Sequence, residues 1–233
     1  MYGNFTLEGD KSVKEILKNS NSDLEGIYSL KGWLEDNEIY LHNIDCPIVE
    51  ISNKELERIS GLKTPNQVLA VAKQKEPIID WETTKNDLSI WLDDIQNPGN
   101  LGTVIRIADW FGIPNVFCSN ESADLYNPKV LQSSMGAFLR VNVLKIDLEE
   151  LIRKSKIANI YGAFTEGENI FQTKLSESGI IVIGNEGNGI SDKNASKITQ
   201  KISIPAHSNS GTESLNAAVA TGIICSVFRN HKF

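Results

Sequence analysis

At 233 residues, 40% apolar and 23% charged, the chain has the composition of a protein with a real core and room for one large or two small domains. Its net charge is −7, with 9 basic and 14 acidic groups in residues 1–80 and 14 and 16 in residues 81–233, which excludes a bulk electrostatic grip on nucleic acid and confines any RNA contact to a local patch. Three distant cysteines (Cys46, Cys118, Cys225), three scattered histidines (His42, His207, His231) and no apolar run of about 20 residues argue against a disulfide framework, a metal site and a membrane span, and with no signal peptide at Met1-Tyr2-Gly3-Asn4 a cytoplasmic location is expected.

The first 75 residues alternate between short patterns. A helix is expected around Asp10 to Lys18, then β-like runs at Gly26–Leu30, Ile39–His42, Ile48–Ile51 and Val68–Ala72. Ser52 with Glu55 reads as a capping box for a helix from Lys54 to Ser60, which Gly61 would stop. This is a small α/β unit. Polar residues and Pro77 put its boundary near residues 76–87, giving domains 1–78 and 79–233.

Beyond the boundary, continuous apolar runs read as buried parallel strands at Ser89–Leu92, Asn115–Cys118, Val141–Ile146, Ile160–Phe164, Ile180–Ile183 and Ile202–Ile204, with helical patterns between them. An α/β fold with a parallel sheet follows. The first of these helices puts Leu101, Val104, Ile105, Ala108 and Phe111 on one side. The last puts Leu215, Ala218, Val219, Gly222, Ile223, Ser226 and Val227 on one stripe, which suits the core or, because its residues are small, a second copy of the chain.

Three strand-to-helix junctions carry the chemistry. Asn97-Pro98-Gly99-Asn100 opens the first helix, where Asn100 suits an N-cap and Arg106 sits among apolar residues, either paired with Asp93 or Asp94 or offering its guanidinium fork to a phosphate or polar substrate atom. Gly184-Asn185-Glu186-Gly187-Asn188-Gly189 departs from the order of a dinucleotide fingerprint, with no acid about 20 residues on for a ribose. There Glu186 is a solvated loop carboxylate or a bonding partner for a hydroxyl or a neighbouring loop. In Gly211-Thr212-Glu213-Ser214-Leu215-Asn216, Ser214 is either an N-cap or part of a site; it shares a ligand with Asn216 only where the turn is not yet helix, since two helical positions differ by about 200°. No G-x-S-x-G is present, which disfavours a serine hydrolase.

Taken in order, these segments resemble the SpoU (TrmH-like) family of RNA ribose 2′-O-methyltransferases in the SPOUT superfamily. Asn97–Arg106 is similar to its first motif, Ile183–Ser191 to its second, Ile204 with Gly211–Gly222 to its third, and Asn127–Val130 through Ser134–Ala137 to an intervening signature, together spanning about residues 88–229. The resemblance implies a deep trefoil knot in the carboxyl-terminal domain and a homodimer. It implies S-adenosylmethionine held by backbone near Gly184, Glu186, Gly187, Ile204, Leu215, Asn216 and Ala217, without metal, and Arg106 or Asn100 near the cofactor of the other subunit. The amino-terminal unit is similar to a ribosomal-protein-like substrate-binding domain, through Phe5–Gly9 and Leu62–Ala70, although it lacks a basic helix common in front.

What the resemblance implies for chemistry is methyl transfer to a ribose 2′-hydroxyl of RNA, ribosomal rather than transfer RNA, with Asn100, Arg106, Glu186, Ser214 and Asn216 at the site. A non-catalytic RNA-binding protein of the same fold, or methylation of a base nitrogen, is the competing expectation, and Gln132, where a basic residue is common, leans toward the first.

Overall fold

The computed structural model describes residues 3–19 and 23–230, so that His231 lies outside the described residues. Among them ten strands form two sheets. The smaller has the order β1-β4-β2-β3, with β1 (Asn4–Glu8), β2 (Leu24–Ser29), β3 (Ile48–Glu50) and β4 (Val68–Lys73). β4 is antiparallel to both neighbours, and β3 runs parallel to β2. Helix α1 (Asp10–Leu17) lays Val13 and Ile16 against Phe5, Leu7, Ile27, Val68, Ala70 and Ala72.

The run Ile39–His42 is not a strand. It falls in α3 (Glu38–Leu41), directly after α2 (Lys31–Asp36), a helix that the pattern did not reveal. A short apolar run reads alike in either state. Here Trp33 decides: its buried ring joins the core of this unit and its indole N–H donates to Asp10 Oδ1 at 2.8 Å, so the chain turns into helix beside α1 and leaves Ile39 80% exposed. The capping box is present as expected, Ser52 and Glu55 opening α4 (Asn53–Ile59).

The larger sheet has the order β10-β8-β9-β5-β6-β7, every neighbouring pair parallel. Its strands are β5 (Leu88–Leu92), β6 (Asn115–Cys118), β7 (Asn142–Lys145), β8 (Ile160–Asn169), β9 (Gly179–Ile183) and β10 (Gln200–Ser203). The helices are α5 (Trp81–Asn86), α6 (Pro98–Trp110), α7 (Pro128–Ser134), α8 (Leu148–Ser155), α9 (Asp192–Ala195) and α10 (Ala217–Arg229). All residues of β5 and β9 are buried, and side chains alternate between two apolar layers. Leu88, Ile90 and Leu92 join Leu101, Val104, Val130 and Ile224 on one face, whereas Trp91 joins Phe117, Leu148, Leu151 and Val182 on the other. This is an α/β fold with helices on both faces of a parallel sheet.

Helix α10 overturns the core reading of its stripe. Its buried face is Ala217, Ala218, Thr221, Ile224, Cys225, Phe228 and Arg229; of the stripe read from the sequence only Ala218 is buried, while Leu215 is 45% and Val219 52% exposed. The helix is apolar nearly all round, so periodicity could not choose the inward face. Packing on α6, where Gly222 meets Ile107, chose it.

The two sheets touch through side chains from the segment around α7. Leu131, Tyr126 and Phe138 pack against Phe5, and Arg140 binds Asp109 of α6 and Glu15 of α1 at 2.8 and 2.9 Å. Residues 74–80 connect the sheets, and the Tyr126 hydroxyl both accepts from the Lys75 N–H and donates to its carbonyl at 2.8 Å. No described helix is long and apolar enough to cross a membrane.

Candidate active site

Strand order reverses at β5. The chain leaves it for β6 and β7 on one side and returns through β8 to β9 on the other, so the loops after β5 and β9 lie side by side at the carboxyl ends of the strands. Ligand crevices form at such switch points. Asp93, first in the β5 loop and 5% exposed, accepts at Oδ2 from the Ser191 N–H and hydroxyl, both 2.9 Å, and from Asn194 Nδ2 at 3.0 Å. The carbonyl of Asp94, whose φ is 55°, accepts from Asn185 Nδ2 at 2.8 Å. Asn185 Oδ1 in turn takes the N–H groups of Gly187 and Asn188, so the β9 loop is a closed turn held to the β5 loop at both ends.

Helix α6 starts earlier than the sequence suggested. Asn97 is the N-cap, accepting from the Gly99 and Asn100 N–H groups, and Pro98 takes the first helical position, where a missing N–H costs nothing. Asn100 is thereby inside the first turn, not its cap, and its side chain is released to donate from Nδ2 to Glu186 Oε1. Asn216 caps α10 through Oδ1, bonded by the Ala218 and Val219 N–H groups at 3.0 and 3.3 Å, and its Nδ2 donates to Asn100 Oδ1 at 3.1 Å.

The three junctions therefore meet within one chain, and the direction of every bond is set. The Asn216 oxygen must face the helix amides, so its nitrogen faces Asn100; the Asn100 oxygen is then occupied and its nitrogen faces Glu186 Oε1, which accepts. Ser214 is not the cap. It is exposed in the approach to α10, where the sequence required it and Asn216 to be if both were to face one ligand.

Arg106 is exposed and forms no salt bridge or hydrogen bond among the described residues. The expected pairing with Asp93 or Asp94 is absent, because Asp93 is taken by Ser191 and Asn194. Six residues along a helix, Arg106 stands about 9 Å from Asn100 along the axis and about 240° around it, so the two do not aim at one point within one chain. It shares its exposed stripe with Thr103 and Trp110, the latter 80% exposed.

The residues near the β9 and β10 ends fit a cofactor held by main-chain atoms. A Cβ on Gly184 would lie 2.2 Å from the Gly189 carbonyl carbon and 2.3 Å from Ile190 N, so only glycine lets the loop close this tightly. Past β10, the N–H groups of Ile204, Leu215 and Asn216 make no hydrogen bond among the described residues, leaving donors for a ligand. No metal-ligating cluster of three or more His, Cys, Asp or Glu occurs among the described residues. Burial pushes the thiols of Cys118 and Cys225 up to about 12, which removes both as nucleophiles near neutral pH.

Of the frame of the site, Asp93 was read from the sequence only as a partner for Arg106, Asn97, Asn185 and Ser191 only as members of motif segments, and Asn194 not at all. Asn97 alone had a readable signal, an Asx residue directly before proline.

A model of the SpoU rRNA methylase family matches residues 87–226. The chain is 31% identical over 94% of its length, and 86% of the other, to the 23S rRNA guanosine 2′-O-methyltransferase RlmP of Bacillus subtilis. A solved TrmH-family structure from Porphyromonas gingivalis superposes with a TM-score of 0.85 at 36% identity, covering 98% of this chain and 90% of that one. The SpoU methyltransferase AviRb of Streptomyces viridochromogenes, solved with S-adenosylmethionine, has the same fold at 21% identity, with a TM-score of 0.84 over 99% and 91% of the two chains. A family match over more than half its length, and likeness to RlmP along nearly all of it, mean that the chain belongs to the SpoU rRNA methylase family.

Proposed function

We propose that this chain transfers a methyl group from S-adenosylmethionine to a ribose 2′-hydroxyl of ribosomal RNA, acting as a cytoplasmic homodimer. The observation that carries the reading is the convergence of Asn100, Glu186 and Asn216 from three separate strand ends, with an arginine that has no partner among the described residues on the helix that supplies Asn100. Ribosomal rather than transfer RNA is supported by the likeness to RlmP along nearly the whole chain.

When bound, S-adenosylmethionine supplies an electrophilic methyl on its sulfonium. The backbone at Gly184, Glu186, Gly187, Ile204, Leu215, Asn216 and Ala217 holds it, and Ser214 shapes the substrate side of the pocket. Asn100 and Glu186 orient the ribose so that its 2′-oxygen lies in line for attack. Arg106 is effectively always protonated and so serves no proton-accepting role; it binds the adjacent phosphate or the alkoxide as charge develops, while the hydroxyl proton leaves to solvent water and the neutral thioether departs as the carbon–sulfur bond breaks. Its stripe faces away from Asn100 of its own chain, which supports an assembly where a second copy covers Arg106, Trp110 and Val219 and Arg106 serves the partner's site.

Residues 79–233 form the methyltransferase domain, with a deep trefoil knot, and residues 1–78 a ribosomal-protein-like domain that binds RNA. Support for the knot is that the chain leaves β10 at the far edge of the sheet yet returns to pack α10 on α6 beside β5. Support for the RNA face is that Lys54, Arg58 and Lys63, on and after α4, form no salt bridge among the described residues. The test is incubation with ribosomal RNA and methyl-labelled S-adenosylmethionine, then digestion to nucleosides and mass spectrometry. A labelled 2′-O-methylnucleoside is expected; label on a base nitrogen, or no transfer and no cofactor binding by calorimetry, overturns the proposal.

A further inference from the structure

Asp93 lies outside the three motifs, yet the β9 loop hangs from it. It is 5% exposed and has no cationic partner among the described residues; three neutral donors from the far end of that loop and the start of α9 converge on Oδ2. Such a carboxylate is costly to bury, and neutral apolar residues at this strand end would be cheaper. Ser191 sharpens the point. It is the N-cap residue of α9 but makes no side-chain cap bond to that helix, its hydroxyl going to Asp93.

The next residue completes the arrangement. Asp94 holds a left-handed backbone, which a non-glycine residue adopts at a cost, and this turns its carbonyl to Asn185 Nδ2 while its N–H donates to Ser119 Oγ at 3.0 Å. The Ile95 N–H donates to Ser122 Oγ at 3.1 Å. Side chain, carbonyl and amides of one corner thus tie the β9 loop and the β6 loop to the start of α6. Between the two anchors, Ser191 and Asn185, stands Glu186, exposed and bonded to Asn100.

We infer that Asp93 is a positioning residue for methyl transfer: its carboxylate fixes the loop that carries Glu186 and so sets the contact between Glu186 and Asn100. The inference rests on the functional reading above, and it is tested by a double-mutant cycle of Asp93→Ala with Glu186→Gln, measuring kcat at saturating RNA and cofactor. Asp93→Ala is expected to lower kcat on the order of 100-fold, the cost of misplacing a reacting group by about 1 Å. In the Glu186→Gln background the same change is expected to cost less than about twofold, since a residue acting only through Glu186 has nothing left to position. Equal losses in both backgrounds, or none in the first, overturn the inference.

Where Asp93→Ala does not fold, Asp93→Asn and Ser191→Ala, each removing part of the contact, take its place in the cycle with the same criterion. Amide hydrogen exchange separates the two readings. If the wild type transfers no methyl group, the functional reading fails alone, and faster exchange at Gly187, Asn188 and Gly189 in Asp93→Asn still supports the anchoring; unchanged exchange there overturns it.

Discussion

The two ends of the parallel sheet spend their polar groups in opposite ways. At the amino ends of the strands, Arg229 is 4% exposed and held at two of its nitrogens, Nη2 on Asp87 at 2.6 Å and on the Gly112 carbonyl at 3.2 Å and Nε on the Phe111 carbonyl at 3.1 Å. Nearby, Asn115 is buried and links Thr84 to Asn142. At the carboxyl ends, Asn100, Glu186 and Asn216 bond one another in view of solvent, Ser214 is exposed, and Arg106 on the helix that follows β5 has no hydrogen-bond or salt-bridge partner among the described residues. Polar groups satisfied within the chain stabilise it; groups left open are available to a ligand. The difference is the one expected of a structural end and of an end that holds the proposed site.

The sharpest way to break that contrast is to exchange the roles of the two arginines. Arg106→Lys keeps the charge and removes the fork, and methyl transfer is expected to fall on the order of 100- to 1000-fold, the cost of losing one oriented donor to developing charge. Its thermal midpoint should not move, because no contact in the chain is lost. Single-turnover methylation with matched melting curves checks both, and near-normal turnover would end the case for the fork. The second change is Arg229→Met, which strands Asp87 and two carbonyls. It is expected to destabilise the fold by about 3 kcal/mol, at the lower end for a broken buried pair because Asp87 is partly exposed. Turnover per folded molecule should stay within about twofold, so a chemical denaturation curve and an active-site titration would expose any catalytic role for this end of the sheet.

These contrasts were unevenly legible. The strands of the larger sheet could be read because each is buried on both faces and leaves an unbroken apolar run; Asn115–Cys118 shows this most plainly. Glu186, Asn216 and Asn100 could be singled out as candidates because glycine and asparagine cluster where strands end. The start of α6 was misplaced by three residues because Asn97 and Asn100 are equally good caps in isolation, and only Pro98 breaks the tie. The inward face of α10 was hidden for a different reason. Ala218 and Val219, or Ile223 and Ile224, are neighbours of like polarity, and which one points inward depends on α6, a partner far away in sequence. Asp93 was illegible because an acid at a strand end is ordinarily a solvated turn residue, and its partners lie 98 and 101 positions away.

Asn216 bridges the two kinds of polar group, and Asn216→Asp separates them. Asparagine caps α10 with its oxygen and supports the site with its nitrogen. Aspartate is an equally good N-cap, and its charge suits a helix start, so α10 and the thermal midpoint should be unchanged or slightly raised. What is lost is the donor. The second carboxylate oxygen would face Asn100 Oδ1, and relief requires Asn100 to rotate its amide, which then turns its own oxygen toward the Glu186 carboxylate. Either arrangement sets two acceptors against each other at the point where three loops meet. A lost hydrogen bond and a repulsive contact together correspond to about 2 kcal/mol, or about a 30-fold fall in turnover. Asn216→Ala should show the converse balance, losing about 1 kcal/mol of stability with the cap as well as the activity. If the aspartate variant turns over at the wild-type rate while its helix is intact, the bonded chain from α10 to Glu186 is only a consequence of folding, and orientation of the ribose must come from elsewhere in the site.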